Sequence, residues 1–73
     1  MHLPPVNIAE AKEYALAYFE GITLPVQYVA ADYHGEYGQG MVNVLFDGPR
    51  GPIEMSVWLE TREDGSTYLY GEW

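Results

Sequence analysis

The stretch IEMSVWLE, residues 53–60, interleaves two patterns: Ile53, Met55, Val57 and Leu59 alternate with Glu54, Ser56, Trp58 and Glu60. Successive side chains of a β-strand point to opposite faces of a sheet, so a period of two describes a strand with one face in a core and the other in water. The apolar set faces inward. The polar set holds a tryptophan between two glutamates, which either braces the outer face of a sheet or presents it to a partner.

Turn chemistry bounds this strand on both sides. DGPRGP (47–52) precedes it, and TREDGS (61–66) follows, with Asp64-Gly65 closing a hairpin onto TYLYGEW (67–73). MVNVLF (41–46) alternates in the same way and sends Val42, Val44 and Phe46 inward, while VQYVAADY (26–33) reads as a further strand, joined to it through the loop HGEYGQG. Upstream, IAEAKEYALAYFE has the helical period. Asn7 is placed to cap it, Glu10 three residues on completes a capping-box pattern, and Gly21 suits its end. At ~100° per residue, Ile8, Ala11, Ala15, Leu16 and Phe19 share one face, and Lys12 lies inside that arc, where its stem packs while its amine reaches water. Glu10, Glu13 and Glu20 fall on the opposite side.

The order α-β-β-β-β predicts a single α+β domain over residues 1–73, with one N-terminal helix (7–20) packed on a four-stranded antiparallel β-meander. Ile53, Met55, Val57, Leu59 and Leu69 are expected beneath the helix. On this register, alanine at Val57 or Leu59 costs ~2–5 kcal/mol and at Ser56 little.

Composition narrows the function. The 73 residues include no cysteine, so there is no disulfide and no thiolate metal ligand, which fits a reducing compartment. The opening HLPPVN is not a basic, apolar leader, and nothing approaches the ~18 apolar residues of a membrane span, so a soluble, cytoplasmic protein is expected. Eleven acids against Lys12, Arg50 and Arg62 give a net charge of -8. That is too small a basic footprint to bind nucleic acid or an anionic membrane directly. With 48% hydrophobic and 15% aromatic residues, the chain is one that folds.

On the open face of such a sheet, Glu54, Trp58 and Glu60 stand beside Tyr68, Tyr70 and Glu72, an aromatic strip edged with carboxylates. Cross-strand aromatic pairs stabilise sheets, and Trp and Tyr are also the residues most enriched where interfaces concentrate their energy. Asp32, His34 and Glu36 alternate and would project to one side of an extended chain, but one imidazole and two carboxylates over five residues make a weak metal-site signal, and a solvated loop is the reading preferred. Gly35, Gly38 and Gly40 lack the following lysine and helix of a phosphate loop. Ser56, Ser66, His2 and His34 have no nucleophile context, and Glu54 and Glu60, six residues apart on one strand, stand about 20 Å apart, too far to share a glycosidic bond. Neither catalysis, a cofactor nor a metal is expected.

The acids are spread over helix, loops and sheet, and Glu20 lies at the helix C-terminus, where a carboxylate opposes the dipole. Carboxylates two apart on a strand repeat at about 6.6 Å, and each DNA strand carries a charge per ~3.4 Å of axis, so a compact acidic body fits a groove built for phosphates. A small, cysteine-free, strongly acidic α+β chain of this kind resembles the phage-type anti-CRISPR and anti-restriction DNA mimics. The resemblance covers the whole chain by composition and is carried by Glu10, Glu13, Glu20, Asp32, Glu36, Asp47, Glu54, Glu60, Glu63, Asp64 and Glu72. It implies an inhibitor that occupies the PAM-reading surface of a CRISPR effector subunit and blocks DNA, in the host cytoplasm if phage-encoded; a monomer is expected. Trp58, Tyr68 and Tyr70 add an aromatic component to that interface. Two other classes stay open: a protein-interaction module or small-complex subunit using the Trp58/Tyr70 face, dimerisation included, and a small catalytic or metal-binding domain centred on His34.

Overall fold

A computed structural model describes residues 6–34 and 40–73. One helix, α1 (Ile8–Gly21), is followed by four strands: β1 (Gln27–His34), β2 (Met41–Gly48), β3 (Gly51–Thr61) and β4 (Thr67–Glu72). All pairings are antiparallel and the sheet order is β1-β2-β3-β4, the α+β meander expected from the sequence. The helix packs on one face of the sheet and touches all four strands. Among the described residues, no helix is long and apolar enough to cross a membrane.

Both helix ends are explained by local hydrogen bonding. Asn7 is extended, and its Oδ1 accepts from the amides of Ala9 at 2.8 Å and Glu10 at 3.2 Å, satisfying two of the N–H groups that a first turn leaves without partners. Among the described residues no return bond from the Glu10 carboxylate is formed, so only half of the capping box is present. The C-terminal stop is not Gly21, which is the last helical residue. Leu24 N donates to Phe19 O at 2.9 Å and Thr23 N to Glu20 O at 3.0 Å, the paired 6→1 and 5→2 bonds of a Schellman motif. The left-handed residue that this motif requires is Thr23, at φ 55°. Gly21 stands two places too early to serve.

The core is continuous from helix to sheet. Ala11, Ala15 and Phe19 of the helix, Val42, Val44 and Phe46 of β2, Met55 and Val57 of β3, and Val6 ahead of the helix are all buried. Ile8, Leu16, Ile53, Leu59 and Leu69 pack partly buried around them, with Tyr14, Leu24, Val26, Tyr28 and Ala31. Leu59 therefore belongs to the margin of the core and not to its centre. Lys12 is half-buried, and its Nζ lies 4.0 Å from the Tyr28 ring centre, over an aromatic face where its place on the wheel had put it in water. Small residues decide how near the helix comes. Besides Ala11 and Ala15, Gly71 of β4 faces the helix, and a Cβ there would stand 2.9 Å from Tyr14 Cε1 and 3.0 Å from Met55 Sδ.

Two irregularities shape the sheet. In β1 the register slips between Tyr28, opposite Phe46, and Ala30, opposite Leu45, leaving Val29 as the extra residue of a bulge. At the other end, Arg62 N donates to Ser66 O and Gly65 N to Arg62 O, making a three-residue loop of Glu63, Asp64 and Gly65 in place of a two-residue Asp-Gly turn. Gly65 takes φ 89°, the left-handed position that such loops reserve for glycine.

Thr23 and Gly71 give opposite tests of this packing. A β-branched residue at positive φ is strained, so Thr23→Gly should stabilise the fold by about 0.5–1 kcal/mol once the greater unfolded-state freedom of glycine is subtracted. Gly71→Ala should destabilise it by about 1–3 kcal/mol, because its methyl group meets Tyr14 and Met55. Thermal melts of the two variants should move in opposite directions from the parent chain.

Candidate functional site

The face of the sheet away from the helix gathers the chain's polar alternates. Register places them in rows. Asp32, Asn43, Ser56 and Glu72 form one row across all four strands, about 14 Å in three interstrand steps of ~4.8 Å. Trp58 and Tyr70 pair in the next row of β3 and β4, and Glu60 and Tyr68 in the one beyond. On the other side of the first row, Leu45 lies opposite Glu54, and Asp47 opposite Pro52.

The centre of this face is tied together. Ser56 Oγ donates to Asn43 Oδ1 at 2.8 Å, so Ser56 is a partner in a half-buried bond and not a spectator. The rings of Trp58 and Tyr70 meet edge to face at 5.3 Å between centroids, a favoured geometry for aromatic pairs. The Trp58 indole N–H donates to Glu60 Oε1 at 2.6 Å. The tryptophan between two glutamates thus already has partners: one glutamate holds its N–H, and a tyrosine on the next strand holds its ring. Trp58 and Glu60 are accordingly half-buried, whereas Tyr68 and Tyr70 remain 37% and 41% exposed.

Five of the chain's eleven acids share this face: Asp32, Asp47, Glu54, Glu60 and Glu72. The strands offer no lysine or arginine to offset them. The base at its margin is Arg62 of the hairpin, whose guanidinium carbon lies 4.4 Å from the Tyr68 ring centre. The remaining sequence candidates lie elsewhere. Glu10, Glu13 and Glu20 are exposed on the helix, on the other side of the molecule, so one flat partner does not touch both sets. Glu63 and Asp64 occupy the tip of the β3–β4 hairpin. Glu36 lies outside the described residues, and with it the spacing of Asp32, His34 and Glu36 considered for a metal; among the described residues no three His, Cys, Asp or Glu side chains are grouped to hold one.

At the hairpin tip, Asp64 Oδ1 accepts from Ser66 Oγ at 2.6 Å and from Ser66 N at 2.9 Å. The Ser66 hydroxyl and amide, stabilising the anion, hold the Asp64 carboxyl below its ordinary value of 3.8.

The sequence reading missed Met41, Asn43 and Leu45 as parts of the open face, although the alternation that sent Val42, Val44 and Phe46 inward already implied them. It also missed Trp73. Placed on a strand by its sequence, Trp73 follows β4 and packs edge to face on Phe19 at 5.0 Å and on Tyr18 at 6.4 Å. Beside it, Leu24, Pro49, Arg50, Pro52 and Ile53 line a groove of about 650 Å³. Comparison with protein-family models, with curated proteins and with solved structures gives no match to this chain.

Two measurements check the site. Ser56→Ala leaves Asn43 Oδ1 without its half-buried donor and should cost about 1 kcal/mol in denaturant unfolding, in place of the negligible cost its alternation suggested. The depressed carboxyl of Asp64 contributes to the hairpin above the ordinary value of 3.8, and that contribution is lost as pH falls through the lower folded value. The Ser66 amide resonance should accordingly titrate with a midpoint below 3.8, and in Asp64→Asn that titration should vanish.

Proposed function

We propose that the chain is a non-enzymatic acidic inhibitor whose open sheet face docks on the basic, nucleic-acid-binding surface of another protein and keeps DNA off it, with the PAM-reading surface of a CRISPR effector subunit as the target class. One observation carries the reading: five carboxylates lie on the same face of the sheet as the Trp58–Tyr70 pair. Carboxylates spaced by strand and row supply the negative field of a phosphate backbone, and the aromatic centre supplies the desolvated anchor that charge alone does not. The same field repels nucleic acid and a second copy of the face, which favours a monomer. A second reading, a small protein-interaction module or complex subunit using the aromatic sheet face, draws support from the exposure of Tyr68 and Tyr70, and gel filtration of the chain with and without the partner separates self-association through that face from a heterodimer.

The test is competition. A PAM-reading effector subunit, its DNA target and this protein are titrated together, and DNA affinity should fall as the protein is added. If the protein binds while DNA stays bound with unchanged affinity, mimicry is wrong. Position then distinguishes the faces at equal change of charge. Glu54→Lys with Glu72→Lys should abolish inhibition, whereas Glu10→Lys with Glu13→Lys on the helix should only slow association, an effect that shrinks as salt screens the long-range field.

A further inference from the structure

We propose that the open face recognises arginine in preference to lysine, the guanidinium of a partner lying on the Trp58–Tyr70 pair and paired with the carboxylates of Glu60 and Glu72. This rests on the reading of the face as the docking surface for a basic partner and specifies its chemistry.

The aromatic pair meets at an interplanar angle of 63°, so the edge of one ring addresses the face of the other and one ring keeps both faces clear of its neighbour. Tyr70, 41% exposed, is open to a ligand. Glu60 and Glu72 flank the pair diagonally: Glu60 lies one row to one side of it on β3, opposite Tyr68, and Glu72 one row to the other side on β4, opposite Ser56, so a guanidinium over the pair lies between the two carboxylates. Because Glu60 Oε1 already holds the indole N–H, the second oxygen of that carboxylate is left as acceptor. A planar, weakly hydrated cation with several N–H donors suits such a site, since it stacks and pairs with a carboxylate at once; an ammonium is a strongly hydrated point charge and does not.

The face also carries a guanidinium of its own. Arg62 lies over Tyr68, the residue opposite Glu60, at 4.4 Å from the ring centre. An arginine stacked on a tyrosine beside a glutamate is the arrangement inferred for the partner, formed here within the chain one row from Trp58. Arg62 is therefore a resident competitor, and its charge is the one that opposes an incoming arginine.

Calorimetry on the unmodified chain at low ionic strength, with hexa-arginine and hexa-lysine peptides as probes of equal charge, tests this directly. Stacking at a partly exposed ring corresponds to roughly two- to fivefold, so hexa-arginine should bind about two- to fivefold more tightly than hexa-lysine. Arg62→Gln should tighten hexa-arginine binding further. Trp58→Leu, checked for folding by circular dichroism, should bring the two peptides to one affinity while leaving both salt-sensitive; should it not fold, Tyr70→Leu carries the same comparison. Equal affinities for the unmodified chain, or a preference that survives loss of the aromatic pair, would overturn the arginine assignment and leave the basic-partner reading standing. Binding of neither peptide would remove both.

Discussion

Phe19 is where three parts of the chain meet. It is fully buried, edge to face with Phe46 of β2 at 5.2 Å and with Trp73 beyond β4 at 5.0 Å. Its carbonyl accepts the Leu24 amide that turns the chain out of the helix. One residue therefore fixes the depth of the helix on the sheet, the direction in which the chain leaves it and the position of the last aromatic ring. Apolar area is the driving force, and a chain of this size buries only about 60% of its unfolded surface, so concentrating aromatic rings around one point matters more than in a larger domain. With a single helix to spend on one side, the other side of the sheet has to be soluble by its own composition. The acidic face is a consequence of that geometry before it is anything else.

Much of this was legible from alternation alone. IEMSVWLE separates into buried Met55 and Val57 with half-buried Ile53 and Leu59 on one side, and into the row positions of Glu54, Ser56, Trp58 and Glu60 on the other. Period two survives because a slip of one residue would exchange the whole set between core and water. What alternation does not encode is an interruption of itself. Val29 reads as one more apolar strand residue, yet it is the bulge that lets Tyr28 and Ala31 both reach the core side. Nor does it reveal that a threonine, and not the nearby glycine, takes the left-handed position after α1, where the Leu24 amide closes back on the Phe19 carbonyl.

The candidate site was readable as a set of residue types and unreadable as a surface. Net charge counts Glu13 and Glu72 alike, but only pairing register puts Glu72 in line with Ser56, Asn43 and Asp32 while the helix carries Glu13 away. The indole–carboxylate bond between Trp58 and Glu60 was equally hidden. Residues two apart on a strand share a face, but whether they touch depends on their rotamers, which the sequence pattern does not carry.

A meander ends in two strands that each have an unpaired row of backbone donors and acceptors, and such rows are templates on which further strands add. Here the bulge at Val29 breaks the regular spacing of that row on β1, and Asp32 and Glu72 place a negative charge on the first and last strand. A second copy approaching either margin would bring carboxylate against carboxylate along a distorted ladder. The features that give the sheet its field thus also oppose the addition of a further strand at either margin.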